Sequence, residues 1–160
     1  MFLNIEKEDR KTFIIFLLIP LVVGFISALL SSGSMSSYMV LNKPSFSPPA
    51  ILFPIVWTIL YILMGISSYL IYESMSYYKG RCLLLYGINL FLNFLWPLIF
   101  FNLEARLFAF IFILFLDIVV ILMIFCFLGI NKKAAYLQIP YFLWLLFATI
   151  LNFSVYFLNR

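Results

Sequence analysis

Long uncharged apolar stretches alternate along the chain with short breaks that hold almost all of its charge. Five stretches stand out, at 12–32, 50–73, 82–103, 107–130 and 134–158. A bilayer core ~30 Å thick takes about 20 apolar residues as a helix, and each stretch has that length. None shows the two-residue alternation of an outer-membrane strand, and all are too long for one. Backbone polar groups in hydrocarbon must bond within their own segment, so the five stretches are expected to be helices. The pattern therefore predicts an all-α integral membrane protein, a bundle of five transmembrane helices forming a single membrane domain over 1–160.

Three of the four connections are tight. The connection at 33–49 is long and splits in two: a small, flexible SGSMSS part and a stiff NKPSFSPP part in which Pro44, Pro48 and Pro49 favour extended backbone. A stiff segment across a helix mouth suits a lid, although it also reads as a passive linker. Ahead of the first helix the leader MFLNIEKEDRK mixes acids with bases, and no A-x-A site follows the apolar run, so that helix is read as retained. The lack of an Arg-rich, acid-poor leader leans towards a bacterial plasma membrane. Lys7, Arg10, Lys11, Lys79, Arg81, Lys132 and Lys133 fall on one side, against Lys43, Arg106 and Arg160 on the other. That bias puts the N-terminus inside.

Composition sharpens the class. Apolar residues make up 66% of the 160 positions and charged residues 10%, against about 25% charged in soluble domains. A soluble domain could not hide so much apolar surface. Histidine is absent, which removes the Ser-His-Asp triad, His-ligated zinc and proximal-His haem, and no metal site is expected. Cys82 and Cys126 form no CxxC motif and read as two buried apolar thiols. The basic residues form no run suited to nucleic acid.

Polar residues inside spans are costly and tend to face the bundle interior. Asn89, Asn93 and Trp96 share one face of the third helix. Trp57, Tyr61, Met64 and Ser68 form a stripe on the second, and Tyr141, Trp144, Ala148 and Asn152 on the fifth. If the stripes converge, they line a pocket with flat aromatic walls and a few amides. The same stripes are also compatible with simple packing. Asp117 is the acid set well inside a span. Without a chain of similar groups in the other spans, it argues against an ion-coupled pump. Pro20, Pro97 and Pro140 are expected to kink their helices, and Gly24 with Ala28 permits close helix packing.

Four ordered motifs carry a resemblance. Tyr38, Leu41, Lys43, Pro44, Phe46, Pro48 and Pro49 spell Y-x2-L-x-K-P-x-F-x-P-P. Trp57, Leu60, Tyr61, Met64 and Gly65 spell W-x2-L-Y-x2-M-G. Leu92, Asn93, Trp96, Phe100 and Phe101 follow as L-N-x2-W-x3-F-F. The last motif runs from Ala134 through Leu137, Pro140, Tyr141, Trp144, Phe147 and Ala148 to Leu151 and Asn152. Over roughly Tyr38 to Asn159 the chain resembles the TspO/MBR family of translocator proteins (peripheral benzodiazepine receptors) and tryptophan-rich sensory proteins.

The resemblance implies a five-helix bundle, commonly a homodimer, whose pocket is closed by the loop between helices 1 and 2. It implies a receptor for porphyrins such as protoporphyrin IX and for isoquinoline carboxamide or benzodiazepine-type drugs, alongside membrane lipids. Porphyrin would be ligand or substrate rather than a permanently bound cofactor. Carried over by motif, and joined to the stripes above, the ligand-binding set is Lys43, Pro44, Phe46, Trp57, Tyr61, Asn89, Asn93, Trp96, Phe100, Tyr141, Trp144, Ala148 and Asn152. Some bacterial members suggest light- and oxygen-dependent porphyrin breakdown, for which Trp57 and Trp144 would be the catalytic candidates; porphyrin or lipid translocation is a further alternative. Ser37, Asn89 and Pro97 depart from the family's usual Trp, Gln and Ser.

Overall fold

A computed structural model of the chain describes residues 7–34 and 38–160; the leader 1–6 and Ser37 lie outside the described residues. Among these residues the architecture is helical. Helix α1 spans Lys7–Ser31 and ends in a 3-10 turn at Ser32–Ser34; α2 spans Leu52–Tyr72. Helix α3 spans Lys79–Pro97 and continues as a π-helical turn over Leu98–Asn102; α4 spans Arg106–Leu128. Helices α5 (Lys132–Leu137) and α6 (Ile139–Leu158) follow one another in a single span. Five segments are long and apolar enough to cross a membrane, and the chain is an integral membrane protein.

The prolines explain where the helices end. Helix α1 runs through Pro20. Pro97 closes α3, and the wider π turn takes over directly after it. Pro140 does not kink a helix interior, as the sequence suggests, but lies in the first turn of α6, where a missing N–H costs nothing. The fifth span is thus split at Gln138. Its first part, α5, is started by Asn131, whose side-chain oxygen accepts from the backbone N–H of Lys133 (3.0 Å) and Ala134 (3.2 Å).

The helices close a ring. Helix α1 packs on α2 and α3, α3 on α4, α4 on α6, and α5 on α2 and α4. Ile15, Leu18, Val22, Phe25 and Leu29 form an exposed stripe down α1, and Phe108, Ile111, Phe115, Ile118, Leu122 and Phe125 do the same on α4. In a bilayer these stripes face lipid. One end of the ring is filled by Ile71, Tyr86, Val120, Met123, Phe127, Ala134 and Ala135.

Cys82, in the first turn of α3, and Cys126, in the last turn of α4, form a disulfide, with Cα atoms 5.6 Å apart. This corrects the expectation of two free thiols. Antiparallel packing of α3 against α4 brings the start of one helix to the end of the other, which the spacing in sequence does not reveal.

The tightest helix contact is α1 on α2. A Cβ built on Gly65 would stand 2.8 Å from the Leu17 Cα and 2.9 Å from the Phe16 carbonyl oxygen. Both are backbone atoms that cannot swing aside. Gly65→Val is therefore expected to destabilise the bundle by about 1–3 kcal/mol, the usual cost of overpacking, read as a lower melting temperature in detergent.

Candidate functional site

At the other end of the ring the helices splay around a cavity of about 360 Å³. Helix α2 contributes Phe53, Pro54, Trp57 and Tyr61; α3 and its π turn contribute Asn93, Trp96, Pro97, Phe100 and Phe101. Helix α6 contributes Trp144, Leu145, Ala148, Leu151, Asn152 and Val155, and α4 contributes Ile113. All three tryptophans of the chain are on this wall. Among the described residues, no Asp, Glu, Lys or Arg is.

The aromatic walls are built by contact. Trp57 leans on Tyr61, with ring centroids 5.4 Å apart. Trp96 stacks on Phe100 at 5.1 Å and 17°. The π turn brings Phe101 edge-on to Phe100 at 4.9 Å, so two consecutive aromatics both reach the cavity. Trp144 is flanked by Phe53 (5.9 Å) and Phe147 (5.3 Å). Ala148, one turn further along α6, leaves room beside it.

Behind the wall the polar groups form a short chain. The Asn93 amide donates to the Tyr141 hydroxyl (2.6 Å), which donates to the Asn89 side-chain oxygen (2.7 Å). Asn89 and Tyr141 are fully buried and do not line the cavity; they clamp α3 to α6 and hold Asn93 in place. The Trp96 indole N–H donates to the Ala109 carbonyl at 3.2 Å, which ties α3 to α4. Two groups of the α6 wall lack partners: the Trp144 indole N–H, and both the oxygen and the nitrogen of the Asn152 amide.

The segment 38–51 covers the mouth. Tyr38, Met39 and Ala50 reach the cavity wall. Lys43 does not; its ammonium lies over the Tyr38 ring, 4.6 Å from the centroid, and 3.4 Å from the Met39 carbonyl. Partial burial pushes the Tyr38 hydroxyl above its ordinary pKa, against a smaller downward pull from its hydrogen bond with Ser47. Pro44 accepts the turn bond from the Ser47 N–H (3.0 Å), and Phe46 is half exposed, its ring 6.3 Å from that of Phe147.

Of the residues singled out from sequence, Trp57, Tyr61, Asn93, Trp96, Phe100, Trp144, Ala148 and Asn152 meet on one wall. Lys43, Pro44 and Phe46 sit on the covering segment and Asn89 and Tyr141 behind the wall. The sequence reading missed the contribution of α1, where Gly24, Ser27, Ala28, Ser31 and Ser32 complete the ring. Their small size is the signal that marks them, but it reads equally as helix packing. Gly24 serves the site directly, because a Cβ there would collide with the Tyr61 ring. Asp117 stays off the cavity wall and accepts a hydrogen bond from the Thr149 hydroxyl at 2.9 Å.

The sequence matches the profile of the TspO/MBR family over residues 16–158. The chain belongs to the TspO/MBR family. It is 39% identical over 144 residues to a tryptophan-rich protein TspO of Archaeoglobus fulgidus, covering 89% of this chain and 94% of that protein. It is 32% identical over 146 residues to the translocator protein of Sus scrofa, covering 88% and 86%. Protein CrtK of Rhodobacter capsulatus is 34% identical over 140 residues, covering 85% of each chain. The TspO/MBR match takes in every helix that lines the cavity, α1 included.

The clamp behind this TspO/MBR cavity gives a direct prediction. Tyr141→Phe leaves the Asn89 oxygen and the Asn93 amide without their buried partner. A loss of about 1–3 kcal/mol is expected, the penalty for unpaired buried polar groups, measured by thermal unfolding in detergent.

Proposed function

We propose that the protein is a membrane receptor for porphyrins, protoporphyrin IX foremost, and for flat hydrophobic drug-like molecules, which it senses or sequesters. The observation that carries this reading is the cavity itself: a space of about 360 Å³ walled by three tryptophans and by phenylalanines, with no charged group. Small-molecule sites are concave, mostly apolar and of this size class, with a few placed polar groups. A large planar π-system packs on such walls in offset or edge-on contact. Porphyrin propionates stay outside the uncharged wall, and Lys43, on the segment that carries Tyr38 and Met39 to the cavity, is a cation available to them. The absence of histidine disfavours axial ligation of a haem iron and favours a metal-free porphyrin. The bias of Lys and Arg supports a topology with the N-terminus inside, in a bacterial plasma membrane, and the protein is read as a homodimer by resemblance to its family.

A second reading is enzymatic. Trp144 lines the cavity with an unpartnered indole N–H, and Trp57 lines it too. In this reading both indoles react beside a light-excited porphyrin in the presence of oxygen. No acid, base and nucleophile set for ordinary catalysis accompanies them.

A dark titration of the purified protein with protoporphyrin IX tests the receptor reading. Saturable 1:1 binding with quenching of Trp fluorescence is expected; a linear, non-saturating response would refute it. Lys43→Ala is expected to weaken protoporphyrin IX binding by roughly tenfold, the scale of one charge-assisted bond, and to change binding of an uncharged isoquinoline carboxamide far less. Illumination in air separates the two readings. Protein-dependent porphyrin loss that slows in Trp144→Phe, with binding retained, supports the enzymatic one.

A further inference from the structure

The covering segment is held in an unusual way. The side chain of Asn159, at the C-terminal end of α6, makes a two-way bond with the backbone of Asn42, 117 residues away. Its oxygen accepts from the Asn42 N–H at 3.0 Å, and its nitrogen donates to the Asn42 carbonyl at 2.8 Å. Among the described residues, every other hydrogen bond made by positions 38–49 is a local turn or stays within the segment or its junction with α2. The remaining ties are packing contacts: Tyr38 edge-on to Phe100 and Phe101, Phe46 to Phe147, and Leu41 against the cluster that holds Ile99, Phe100 and Val155. Burial holds only part of the segment: Tyr38 and Leu41 are half-buried against the bundle, while Met39, Val40, Phe46 and Ile51 are exposed.

The amide has a second resting place. Its nitrogen also reaches the Val155 carbonyl of its own helix, at 2.7 Å. When Asn42 leaves, the Asn159 nitrogen keeps a partner. The Asn42 backbone groups lie at the exposed end of the bundle, where water can replace the amide. Both the joined and the parted arrangement therefore satisfy their polar groups, which is the condition for an element with two stable states rather than a rigid brace. The adjacent residues couple this contact to the site: Tyr38 and Met39 are on the cavity wall, and Lys43 follows Asn42 directly.

We propose that Asn159 is a latch that holds segment 38–51 across the cavity, and that breaking its bonds to Asn42 is the step that admits and releases ligand. Asn159 is a positioning residue, since it does not itself line the cavity. The proposal rests on the receptor reading for its ligand, but the latch has a readout that needs none.

Three proteins test it: the parent, Asn159→Leu, which loses both bonds, and Asn159→Asp, whose carboxylate still accepts from the Asn42 N–H but cannot donate to its carbonyl. Without ligand, amide hydrogen exchange over 38–49 is expected to quicken in the order parent, Asp, Leu, with α2, α3 and α4 unchanged. In the dark, stopped-flow binding of protoporphyrin IX is expected to show association and dissociation both faster, by roughly tenfold in Asn159→Leu, with Kd changed by less than either rate. Unchanged exchange over 38–49 overturns the latch. So does faster exchange with unaltered binding rates, because the segment would then not gate the site. Affinity lost through dissociation alone, with protection lost throughout α6, would make Asn159 a helix-end brace instead. If Asn159→Leu does not fold, the Asp variant decides by the same readouts. If the parent binds no protoporphyrin IX, the receptor reading fails and the gating step falls with it, while the exchange order still decides whether Asn159 holds the segment.

Discussion

Hydrocarbon offers no partner to an exposed polar group, and the bundle is organised by where its side chains spend their hydrogen bonds. Several pairs of helices are joined by one. The Ser27 hydroxyl of α1 donates to the Phe94 carbonyl of α3, and the Ser67 hydroxyl of α2 to the Ala134 carbonyl of α5. The Trp96 indole joins α3 to α4, the Asn93–Tyr141–Asn89 chain joins α3 to α6, and Thr149 with Asp117 joins α6 to α4. The contact of α1 with α2 relies instead on close backbone approach, at Gly65. Such bonds contribute roughly 0.6–2 kcal/mol each in membranes. Lipid-facing leucines and phenylalanines cannot distinguish one helix partner from another, so these few polar contacts and the glycine set the arrangement of the ring.

The same constraint shapes the site. Once Asn89 and Asn93 are committed to Tyr141, and Trp96 to Ala109, the wall retains few free polar atoms. The two wall residues with buried, unpartnered polar atoms, Trp144 and Asn152, lie along one helix. At a rise of ~1.5 Å per residue they are separated by about 12 Å along α6. The cavity is therefore a largely apolar slot.

Much of this was legible in the sequence, for a physical reason. Five spans follow from length and charge spacing because a bilayer imposes a length on every helix, and the stripes through Trp57, Asn93 and Trp144 follow from helical periodicity. Three kinds of feature were not legible. The Cys82–Cys126 disulfide depends on the pairing of helix ends, which periodicity within one helix cannot give. The start of α6 at Ile139 follows from local backbone geometry, since Pro140 is compatible both with a kinked helix and with a first turn. The small residues of α1 carry no chemistry, so Gly24, Ser27 and Ala28 read as packing until the cavity opposite them is seen.

The uncharged wall has a consequence for how a ligand is chosen. Acyl chains are as apolar as the phenylalanines of the cavity, so a hydrophobic molecule already dissolved in the bilayer gains almost nothing by transfer alone. The cavity competes with the surrounding lipid rather than with water. Selection would then fall to what a fluid chain cannot supply: rigid flat faces held at fixed spacing. Occupancy by such a molecule would follow its mole fraction in the lipid phase, so the lipid-to-protein ratio would set the apparent affinity as much as the aqueous concentration does.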